Sequence, residues 1–450
     1  MNIKTDSRKV KKGDTFVALK TLNNDGHEYV EEAILNGAET VVVEHGLYSV
    51  NTLVVNDTKT YLIHILKERY YDQIKHLKLI GMTGTNGKTT TCYLIYEALC
   101  KLNKKVAYIG TIGFYANGDK IKELNNTTPE INEMYEMLLY CTENNIEYVV
   151  MEVSSHALSM RRVEGLEFDY AIFSNLTKDH LDYHLDMKSY ALAKQKLFSM
   201  LKENGKAIVN VDDDYKNYFL LKENNNITYG FLESDYQIID YNIHTSGSKF
   251  KIKVKQEIEL ESPLLGKHNV YNILVMTIVL LNEGFMIEQV KSLMLELKAP
   301  TGRMDTIIYN TNRIIIDYAH TPDAVKNVIN AVKELNPNHI YTIIGCGGNR
   351  DKTKRPEMAK IATDLSDYAI FTSDNPRLED PNDIIDDMIK NLQNTNYETI
   401  VNRKNAIIKG IQKLENNDIL LVLGKGHETY QIIGKEKLEF DDKQTVLEII

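Results

Sequence analysis

Short apolar runs alternate with helical stretches along most of the chain. In the first segment a helical stretch runs from Glu28 to Gly37, between apolar runs at 15–19, 39–43 and 52–55. Further on, predicted strands begin near residues 79, 106, 147, 169 and 206. Because strands that alternate with helices pair side by side in one sheet, this rhythm predicts an α/β protein with a mostly parallel sheet.

Two changes in this pattern divide the chain. Residues 225–262 carry short alternating runs, which indicate a strand-rich insertion or an antiparallel extension of the sheet. After an apolar helix that ends near Asn282, the alternation restarts, with predicted strands at 313–317, 340–344, 367–371 and 418–423. The pattern therefore predicts three domains. They are a small N-terminal α/β domain (1–77), a central P-loop-like domain with a mostly parallel sheet (78–299) and a C-terminal Rossmann-like doubly wound domain (300–450).

Composition and charge exclude several classes of protein. The 450 residues are 43% hydrophobic and 26% charged, as in an ordinary globular protein, and the formal net charge of −10 argues against general nucleic-acid binding. The four cysteines have no Cys-x-x-Cys spacing, which favours a reducing compartment. The polar N-terminus and the absence of a long apolar run argue against secretion and membrane insertion. We therefore expect a cytoplasmic protein.

The clearest chemical signal is the glycine loop Thr83-Gly-Thr-Asn-Gly-Lys-Thr-Thr90, which follows an apolar strand and precedes a predicted helix. Gly84 and Gly87 allow backbone N–H groups to face an anion at a helix N-terminus, while Lys88 adds a charge and Thr89 a hydroxyl for Mg²⁺. The general P-loop pattern would place its first glycine at Met82, so the match is imperfect. The strand–loop–helix context nevertheless predicts a nucleotide-phosphate site rather than an ordinary turn.

Further polar groups follow the next strands. Glu152 ends a strand of the same predicted sheet, where a Mg²⁺ ligand is expected, and a helix-capping carboxylate is the alternative. Residues 174–184 contain one Asn, two Asp and two His, so His180 could belong to a second Mg²⁺ site or be structural. The periodicity around Lys194 is that of a solvated surface lysine. The polar loops at 6–8 and 24–27 have the composition of turns.

In the last predicted domain, opposite charges gather immediately after strands. These residues are Arg350, Arg355, Asp374, Asn375, Arg377 and Glu428. Arginine can bind a carboxylate with two hydrogen bonds while Asp and Glu accept from an ammonium group, so the set suits a zwitterion. Surface ion pairs are the alternative. Because ligands of open α/β sheets bind beyond the carboxyl ends of the strands, recognition of a ligand is favoured.

Taken together, these segments resemble the Mur ligases. The motifs that carry the resemblance are Thr83–Thr90, Thr127-Thr-Pro129, Glu152-Val-Ser-Ser-His156, Asn175–His184, Gly266–Asn272, Asp317-Tyr-Ala-His-Thr-Pro322 and Gly424-Lys-Gly-His-Glu428. They span all three predicted domains, and the family's T-G-T-N-G-K-[ST] loop accounts for the missing first glycine. Within the family, the motif order and Asp6-Ser7-Arg8 are similar to members that add the third residue of the peptidoglycan stem peptide.

The resemblance implies an ATP-dependent ligase that joins meso-diaminopimelate to UDP-N-acetylmuramoyl-L-Ala-D-Glu (the UDP-MurNAc-dipeptide) through an acyl phosphate. ATP and two Mg²⁺ ions are the implied cofactors. The implied partners are these small molecules, with no nucleic acid and no membrane, and the protein is expected to be a monomer. Two alternatives stay open: a ligase that adds L-lysine, and a catalytically silent nucleotide-binding protein of the same fold.

The resemblance also implies a role for individual residues. Those implied for ATP are Gly84, Thr85, Asn86, Gly87, Lys88, Thr89, Thr90, Asn269, Asn272, Arg303 and Asp317. Those implied for Mg²⁺ are Thr89, Glu152, His180 and Lys194, the last as a carbamate, and Lys88, His180 and Lys194 are the implied catalytic residues.

Two further sets are implied for the substrates. Those for the UDP-MurNAc-dipeptide are Ser7, Thr127, Thr128, Ser154 and Arg162. Those for diaminopimelate are Arg350, Asp374, Asn375, Arg377, Gly424 and Glu428. In the family, a tetrapeptide like Asp374-Asn-Pro-Arg377 accompanies diaminopimelate because its arginine can bind the distal carboxylate, and lysine-adding members lack that arginine.

Overall fold

The computed structural model describes residues 2–20, 24–222 and 225–450. Its N-terminal part is a small α/β sheet structure. The elements are β1 (Ile3–Lys4), β2 (Thr15–Val17), α1 (Val30–Leu35), β3 (Thr40–Val43), β4 (Asn51–Val54) and α2 (Thr58–Ile74). The strands pair in parallel in the order β1-β2-β3-β4, and Phe16, Val30 and Val41 fill the core beneath them.

The middle of the chain continues the alternation of strands and helices. The first elements are β5 (Lys78–Thr83), α3 (Lys88–Lys101), β6 (Val106–Gly110), β7 (Gly113–Ala116), β8 (Asp119–Lys122), α4 (Ile131–Glu143), β9 (Tyr148–Glu152), α5 (Ser155–Ser159) and β10 (Phe168–Phe173). The next are α6 (Leu181–His184), α7 (Met187–Gln195), β11 (Leu201–Asn210), β12 (Asn226–Gly230), β13 (Tyr236–His244), β14 (Gly247–Lys253), β15 (Glu257–Ser262), α8 (Lys267–Asn282) and α9 (Ile287–Met294).

The last part of the chain is a second α/β structure. The elements are β16 (Asp305–Tyr309), β17 (Asn312–Asp317), α10 (Pro322–Lys333), β18 (Ile340–Ile344), α11 (Lys354–Leu365), β19 (Tyr368–Phe371), α12 (Pro381–Ile389), β20 (Tyr397–Thr399), α13 (Arg403–Gln412), β21 (Ile419–Leu423), β22 (Tyr430–Ile433), β23 (Glu436–Glu439) and α14 (Asp442–Ile449). Within the described ranges, no helix is both long and apolar enough to cross a membrane.

By its internal contacts, the described chain divides into two compact units. The first contains residues up to 81, 104–171 and 196–206, and the second contains 82–103, 172–195 and 207–450. In the first unit β9 and β6 are parallel and the β6-β7-β8 pairings are antiparallel. In the second unit β11, β12 and β13 are parallel, and β13, β14 and β15 are antiparallel. Of the two alternatives for 225–262, the antiparallel extension is confirmed for β13 to β15, whereas β12 pairs in parallel with β13. The boundaries predicted after residues 77 and 299 stay a prediction.

The sheet of the last part aligns the ends of its strands. Its order is β16-β17-β21-β18-β19-β20, with β16 antiparallel to β17 and the other pairings parallel. Leu423 is the register partner of both Asp317 and Ile344, and Ile344 is the partner of Phe371. Because the strands end at the same level, the loops that follow them gather at one edge of the sheet.

Some elements differ from the prediction for identifiable reasons. Helix α3 begins at Lys88, inside the segment Thr83–Thr90 that the sequence predicts as a loop, because Gly87 at φ +88° forms its N-cap. The β7–β8 hairpin was not predicted, since β8 is exposed along its whole length and carries no apolar alternation. The predicted turns at 6–8 and 24–27 are the starts of two short 3-10 helices, Ser7–Lys9 and Gly26–Tyr29. Asp6 and Asp25 cap them by accepting hydrogen bonds from the backbone N–H two residues on.

A buried ion pair supports the ends of two strands in the last part. The side chains of Arg403 on α13 and Asp442 on α14 are fully buried and form two hydrogen bonds of 2.8 and 2.7 Å. Arg403 also donates to the Leu423 carbonyl over 2.9 Å, at the end of β21, and to the Ser373 carbonyl over 3.5 Å. The pair therefore supports the two backbone positions from which the next loops begin.

We expect Asp442→Asn to destabilise the protein by about 3–5 kcal/mol, because it leaves a buried guanidinium without its counter-charge. The control is Glu448→Gln, which removes the partner of Lys404 from an ion pair whose side chains are about half exposed. That change is expected to cost less than about 1 kcal/mol. Urea denaturation followed by circular dichroism measures both. Equal midpoints for the two variants would contradict the expectation.

Candidate active site

The glycine loop between β5 and α3 has a backbone that favours glycine at two positions. Gly84 and Gly87 have φ values of +152° and +88°. A Cβ atom on Gly84 would lie 1.9 Å from Ser174 Oγ, and one on Gly87 would lie 2.8 Å from Asn272 Oδ1. Without side chains there, the loop runs close to its neighbours and leads directly into the N-terminus of α3, where backbone N–H groups and the helix dipole favour an anion.

The residues after β10 hold this loop in position. The N–H of Thr85 donates to the Asn175 carbonyl over 2.8 Å, and the N–H of Asn86 donates to the Asn175 side-chain oxygen over 2.9 Å. The Ser174 hydroxyl and the Asn175 amide both donate to the Asn86 carbonyl, at 2.7 and 3.1 Å. The first residues of the polar segment 174–184 therefore act as a brace for the loop.

Two lysines donate to the same carbonyl of the loop. Lys88 Nζ lies 3.0 Å from Gly84 O and 2.9 Å from Thr85 O, and Lys194 Nζ lies 2.6 Å from Gly84 O. The prediction from periodicity that Lys194 is solvated is wrong, because Lys194 is only 1% exposed. Burial, reinforced by the charge of Lys88, lowers the pKa of Lys194 well below its usual value. Lys194 is therefore more easily deprotonated than an ordinary surface lysine.

The remaining residues predicted for Mg²⁺ in this unit are His180 and Thr89. His180 has a φ of +55° and its Nε2 lies 3.4 Å from Asp179 Oδ2. Burial alone would raise the pKa of Asp179. Nearby positive charges, that of His180 foremost, nevertheless hold this pKa below its usual value. Thr89 is buried, and its hydroxyl accepts a hydrogen bond from Arg303 Nη2 over 3.2 Å.

No group of three or more His, Cys, Asp or Glu side chains in the described residues is arranged to hold a metal ion. Asp182 belongs to the same predicted cluster, but its side chain lies outside the described part of the chain. The structure therefore does not gather a metal site from these side-chain types alone.

Glu152 ends β9 in the first unit and is fully buried. Its carboxylate accepts from the Tyr108 hydroxyl over 2.5 Å, and from the N–H and hydroxyl of Thr111 over 2.8 and 3.2 Å. The alternative of a helix-capping carboxylate is wrong, because Ser154 caps α5 by accepting from Ala157 N–H. Glu152 is instead a buried acceptor at the carboxyl end of a strand.

Four residues predicted for the UDP-MurNAc-dipeptide lie around Glu152. Thr128 Oγ1 donates to the Glu152 carbonyl over 2.9 Å and accepts from Ser154 N–H over 3.1 Å. Arg162 donates to the Thr128 carbonyl over 3.1 Å, and the Thr127 hydroxyl lies 3.1 Å from that of Thr111. The fifth residue is not joined to them by these bonds: the Ser7 hydroxyl donates to Glu32 over 2.7 Å.

The residues predicted for the nucleoside are linked to the phosphate loop. Asn272 accepts from the Thr91 hydroxyl on α3 and donates to Asn269 Oδ1, both over 2.9 Å. The guanidinium of Arg303 lies 4.5 Å from the centre of the Tyr318 ring. Asp317 accepts hydrogen bonds from two backbone N–H groups, each over 2.7 Å. Burial raises the pKa of Asp317, although the positive charge of Arg303 acts to lower it. These side chains thus shape the loops around the start of α3, and Asn86 also donates to Asp323 over 2.9 Å.

The residues predicted for diaminopimelate meet at the aligned strand ends of the last sheet. Asn375 Nδ2 donates to Glu428 Oε2 over 2.8 Å, and a Cβ on Gly424 would lie 2.7 Å from Asp374 Oδ2. Arg377 has a φ of +53°, and its backbone N–H donates to the Ile432 carbonyl on β22 over 3.0 Å. Backbone contacts therefore hold the turn that carries this arginine.

Arg377 also lies close to a second cation. Its guanidinium donates to the Gly348 carbonyl over 2.9 Å, in the loop that carries Arg350. Burial, together with the charge of Arg350, lowers the pKa of Arg377. Two like charges at one group of strand ends favour the binding of an anion.

One arginine in the predicted charge cluster has a structural role instead. Arg355 is fully buried and makes a two-pronged pair with Glu379, with N–O distances of 3.0 Å, and a further bond of 2.7 Å to Asp387. Glu379 also accepts from the Asn349 N–H, and its bonds to Arg355 are the main reason that its pKa falls to about 2. Arg355 therefore forms ion pairs, as in the alternative, but its own side chain is buried and not at the surface.

A glycine loop at a helix N-terminus, with two lysines at one of its carbonyls, is typical of P-loop proteins. The separate pair of arginines at a second set of strand ends favours an anionic ligand there. Models of the Mur ligase family match the chain in three places. They are the Mur ligase family catalytic domain at 1–68, the Mur ligase middle domain at 82–280 and the Mur ligase glutamate ligase domain at 302–426. The chain belongs to the Mur ligase family.

Similar sequences cover nearly the whole chain. A protein from Fusobacterium nucleatum is 43% identical over 98% of this chain and 92% of its own length, and one from Clostridium botulinum is 39% identical over 100% and 94%. Both are named UDP-N-acetylmuramoyl-L-alanyl-D-glutamate–2,6-diaminopimelate ligase. The prediction of a ligase of this family is confirmed.

Similar solved structures extend over the same length. A UDP-N-acetylmuramoyl-L-alanyl-D-glutamate–2,6-diaminopimelate ligase matches with a TM-score of 0.70 and 32% identity, covering 100% of this chain and 94% of that one. A Thermotoga maritima MurF ligase in complex with ADP matches with a TM-score of 0.69 and 19% identity over 100% and 96%, which supports the fold. The predicted three-domain α/β fold class is confirmed.

We expect Gly84→Ala to weaken ATP binding by at least about tenfold, or 1.4 kcal/mol. The added Cβ would collide with Ser174 Oγ, and the loop would have to move away from Asn175. The control is Gly118→Ala, which has a similarly positive φ of +99° but no atom within 4 Å of its added Cβ. Isothermal titration calorimetry measures both affinities, and unchanged binding by Gly84→Ala would refute the steric argument.

Proposed function

We propose that this ligase uses ATP to join an amino group of meso-diaminopimelate to the D-Glu carboxylate of UDP-N-acetylmuramoyl-L-Ala-D-Glu. The observation that carries the choice of amino acid is the proximity of Arg377 to Arg350 at the strand ends that also hold Asp374 and Glu428. Two guanidinium groups match a second carboxylate, which diaminopimelate has and lysine lacks. The relatives from Fusobacterium nucleatum and Clostridium botulinum, which are named as diaminopimelate ligases, support the same substrate.

The proposed reaction has two steps, formation of an acyl phosphate and formation of the amide. A carboxylate oxygen of the dipeptide attacks the γ-phosphorus of ATP, and the bond between that phosphorus and the β–γ bridging oxygen breaks. The products of this step are the acyl phosphate and ADP. The amine nitrogen then attacks the acyl carbon, phosphate leaves with the former carboxylate oxygen, and the nitrogen loses a proton. The protein forms no covalent bond to the substrates in either step.

The phosphate loop supplies most of the binding for the first step. Residues Gly84 to Thr90 would surround the phosphates with backbone N–H groups, and Lys88 would exchange its bonds to loop carbonyls for bonds to phosphate oxygens. Asn269, Asn272, Arg303 and Asp317 would hold the nucleoside. Because these groups are fixed before the substrate binds, they add stabilisation where charge develops.

The donor atoms at the predicted metal positions fit Mg²⁺ in their chemistry. Thr89 offers a hydroxyl and Glu152 a buried carboxylate, and hard cations prefer such oxygen ligands. His180 and carbamylated Lys194 stay the other predicted Mg²⁺ ligands, and two ions are expected. Bound Mg²⁺ would neutralise charge on the transferred phosphoryl group.

Lys194 suits the proposed carbamate because its amine is buried and its pKa is low. The neutral nitrogen forms a bond to the carbon of CO₂, one C–O double bond becomes the carbamate anion, and the nitrogen releases a proton. The product would place a negative charge beside Lys88 in place of a neutral amine.

The remaining assignments are part of the same proposal. Ser7, Thr127, Thr128, Ser154 and Arg162 would bind the UDP-MurNAc-dipeptide, and the C-terminal set would bind diaminopimelate. A domain division at 1–77, 78–299 and 300–450, a monomeric state and a cytoplasmic location stay predictions.

The substrate assay measures phosphate release by the purified protein with ATP, the UDP-MurNAc-dipeptide and one amino acid. We expect phosphate release to need all three substrates. We expect kcat/KM for meso-diaminopimelate to exceed that for L-lysine at least about hundredfold, because lysine has no second carboxylate and would leave the two arginines unpaired. The same assay on Arg377→Ala should show a loss of at least about hundredfold for diaminopimelate and little change for lysine.

Arg69→Ala, at an exposed arginine of α2, is the matched control and should behave like the wild type. Preference for lysine by the wild type would support the lysine-adding alternative. Absence of any release would support the silent nucleotide-binding alternative, and undiminished use of diaminopimelate by Arg377→Ala would remove Arg377 from substrate recognition.

For the carbamate, we expect Lys194→Ala to lower kcat by at least about hundredfold, because the variant has no amine to carry the anion. Butyrate should restore part of the activity, since it supplies a carboxylate of similar length, whereas butylamine should not. The control variant is Lys196→Ala, at an exposed lysine two residues further on. Full activity of Lys194→Ala, or equal rescue by butylamine, would refute the carbamate role.

A further inference from the structure

Lys425 is a fully buried cation directly after β21. Its side chain is 0% exposed, and its ammonium group lies among three acceptors. It donates to the Tyr430 carbonyl, to Glu428 Oε2 over 3.1 Å and to Asn375 Oδ1 over 3.5 Å. A lysine has three N–H donors, so these three acceptors use all of them. The ammonium group is therefore unable to reach a substrate without first breaking one of these bonds.

The two side chains that Lys425 contacts are also bonded to each other. Asn375 Nδ2 donates to Glu428 Oε2 over 2.8 Å, so Lys425 and Asn375 donate to the same carboxylate oxygen. Asn375 Oδ1 also accepts from the Ile432 N–H over 2.9 Å, which fixes the orientation of its amide. Lys425, Asn375 and Glu428 thus form a closed triangle in which each side chain restricts the other two.

This triangle involves two residues of the proposed amino-acid site. Asn375 follows β19 and Glu428 follows β21, so Lys425 connects the loops from two strands. Removing a charge from water is unfavourable unless it is paired and hydrogen-bonded, and here the carboxylate of Glu428 meets both needs. One oxygen of Glu428 is used inside the triangle, and no bond within the triangle uses Oε1. An ammonium group of a bound amino acid could be held by that oxygen.

We infer that Lys425 is a positioning residue, which orients Glu428 and Asn375 for an ammonium group of the incoming diamino acid. The inference rests on the proposed function and adds a residue whose contribution is made through its neighbours. A buried ion pair with a purely structural role, such as Arg403–Asp442, would affect stability without selecting one substrate. Lys425 should affect the amino acid selectively.

The test is Lys425→Met, which keeps the length of the side chain and removes its charge and donors. We expect KM for meso-diaminopimelate to rise at least about tenfold, kcat at saturation to change less than about threefold, and KM for ATP and for the UDP-MurNAc-dipeptide to change less than about twofold. Lys413→Met is the matched control. Lys413 directly follows α13, outside the proposed site, and its ammonium group lies 3.9 Å from the centre of the Tyr368 ring. It should leave all three KM values unchanged.

A double-mutant cycle separates positioning from a general structural effect. If Lys425 acts through Glu428, adding Lys425→Met to Glu428→Gln should raise KM for diaminopimelate less than about twofold further. Full additivity of the two changes would overturn the inference. So would an unchanged KM for diaminopimelate in Lys425→Met, or an equal rise in KM for all three substrates.

Two further measurements keep the result unambiguous. If Lys425→Met shows no cooperative thermal transition, Lys425→Gln replaces it, since its amide retains hydrogen-bond donors; the same selective rise in KM is expected, and its absence would overturn the inference. The wild type is assayed in parallel. If the wild type does not use diaminopimelate, the proposed function fails. If it does and the Lys425 variants match it, only the positioning role fails.

Discussion

The carbonyl oxygen of Gly84 is the point on which the nucleotide end of the protein depends. It accepts from both Lys88 and Lys194. Residue 84 has to be glycine in this arrangement, because Ser174 occupies the space that a side chain there would need. Two ammonium groups at one oxygen repel each other, and burial together with the charge of Lys88 lowers the pKa of Lys194. The tightly packed loop that requires glycine at residue 84 therefore also contacts a buried lysine whose pKa is lowered.

Buried cations have a corresponding role at the other set of strand ends. Each is paired with a carboxylate: Arg355 with Glu379, Arg403 with Asp442 and Lys425 with Glu428. All three lie beneath or beside loops that follow aligned parallel strands. Such pairs add little net stability compared with apolar packing, but they fix hydrogen-bond directions that apolar side chains cannot fix. The loops that surround the arginine pair are thereby held in one arrangement before any ligand binds.

Much of this arrangement could be predicted from sequence, and the exceptions have a common cause. The alternation of strands and helices, the glycine loop and the charges after the strands follow from local patterns, and the structure has all of them. The burial of Lys194 could not be predicted, because periodicity along one helix does not report what packs against it. The same holds for Arg355 and Lys425, whose partners lie on other elements. The exposed strand β8 of the β7–β8 hairpin carries no apolar alternation.

The position of Asp442 in the chain has a consequence for the order of folding. Arg403, which supports the ends of β19 and β21, gains its counter-charge only when residue 442 has been synthesised. Until then a guanidinium group would have to be buried alone or remain in water, and the nascent chain would keep this region open. The N-terminal sheet needs no such distant partner for its parallel pairings. Assembly during translation should therefore proceed from the first domain, with the loops of the last sheet ordered at the end.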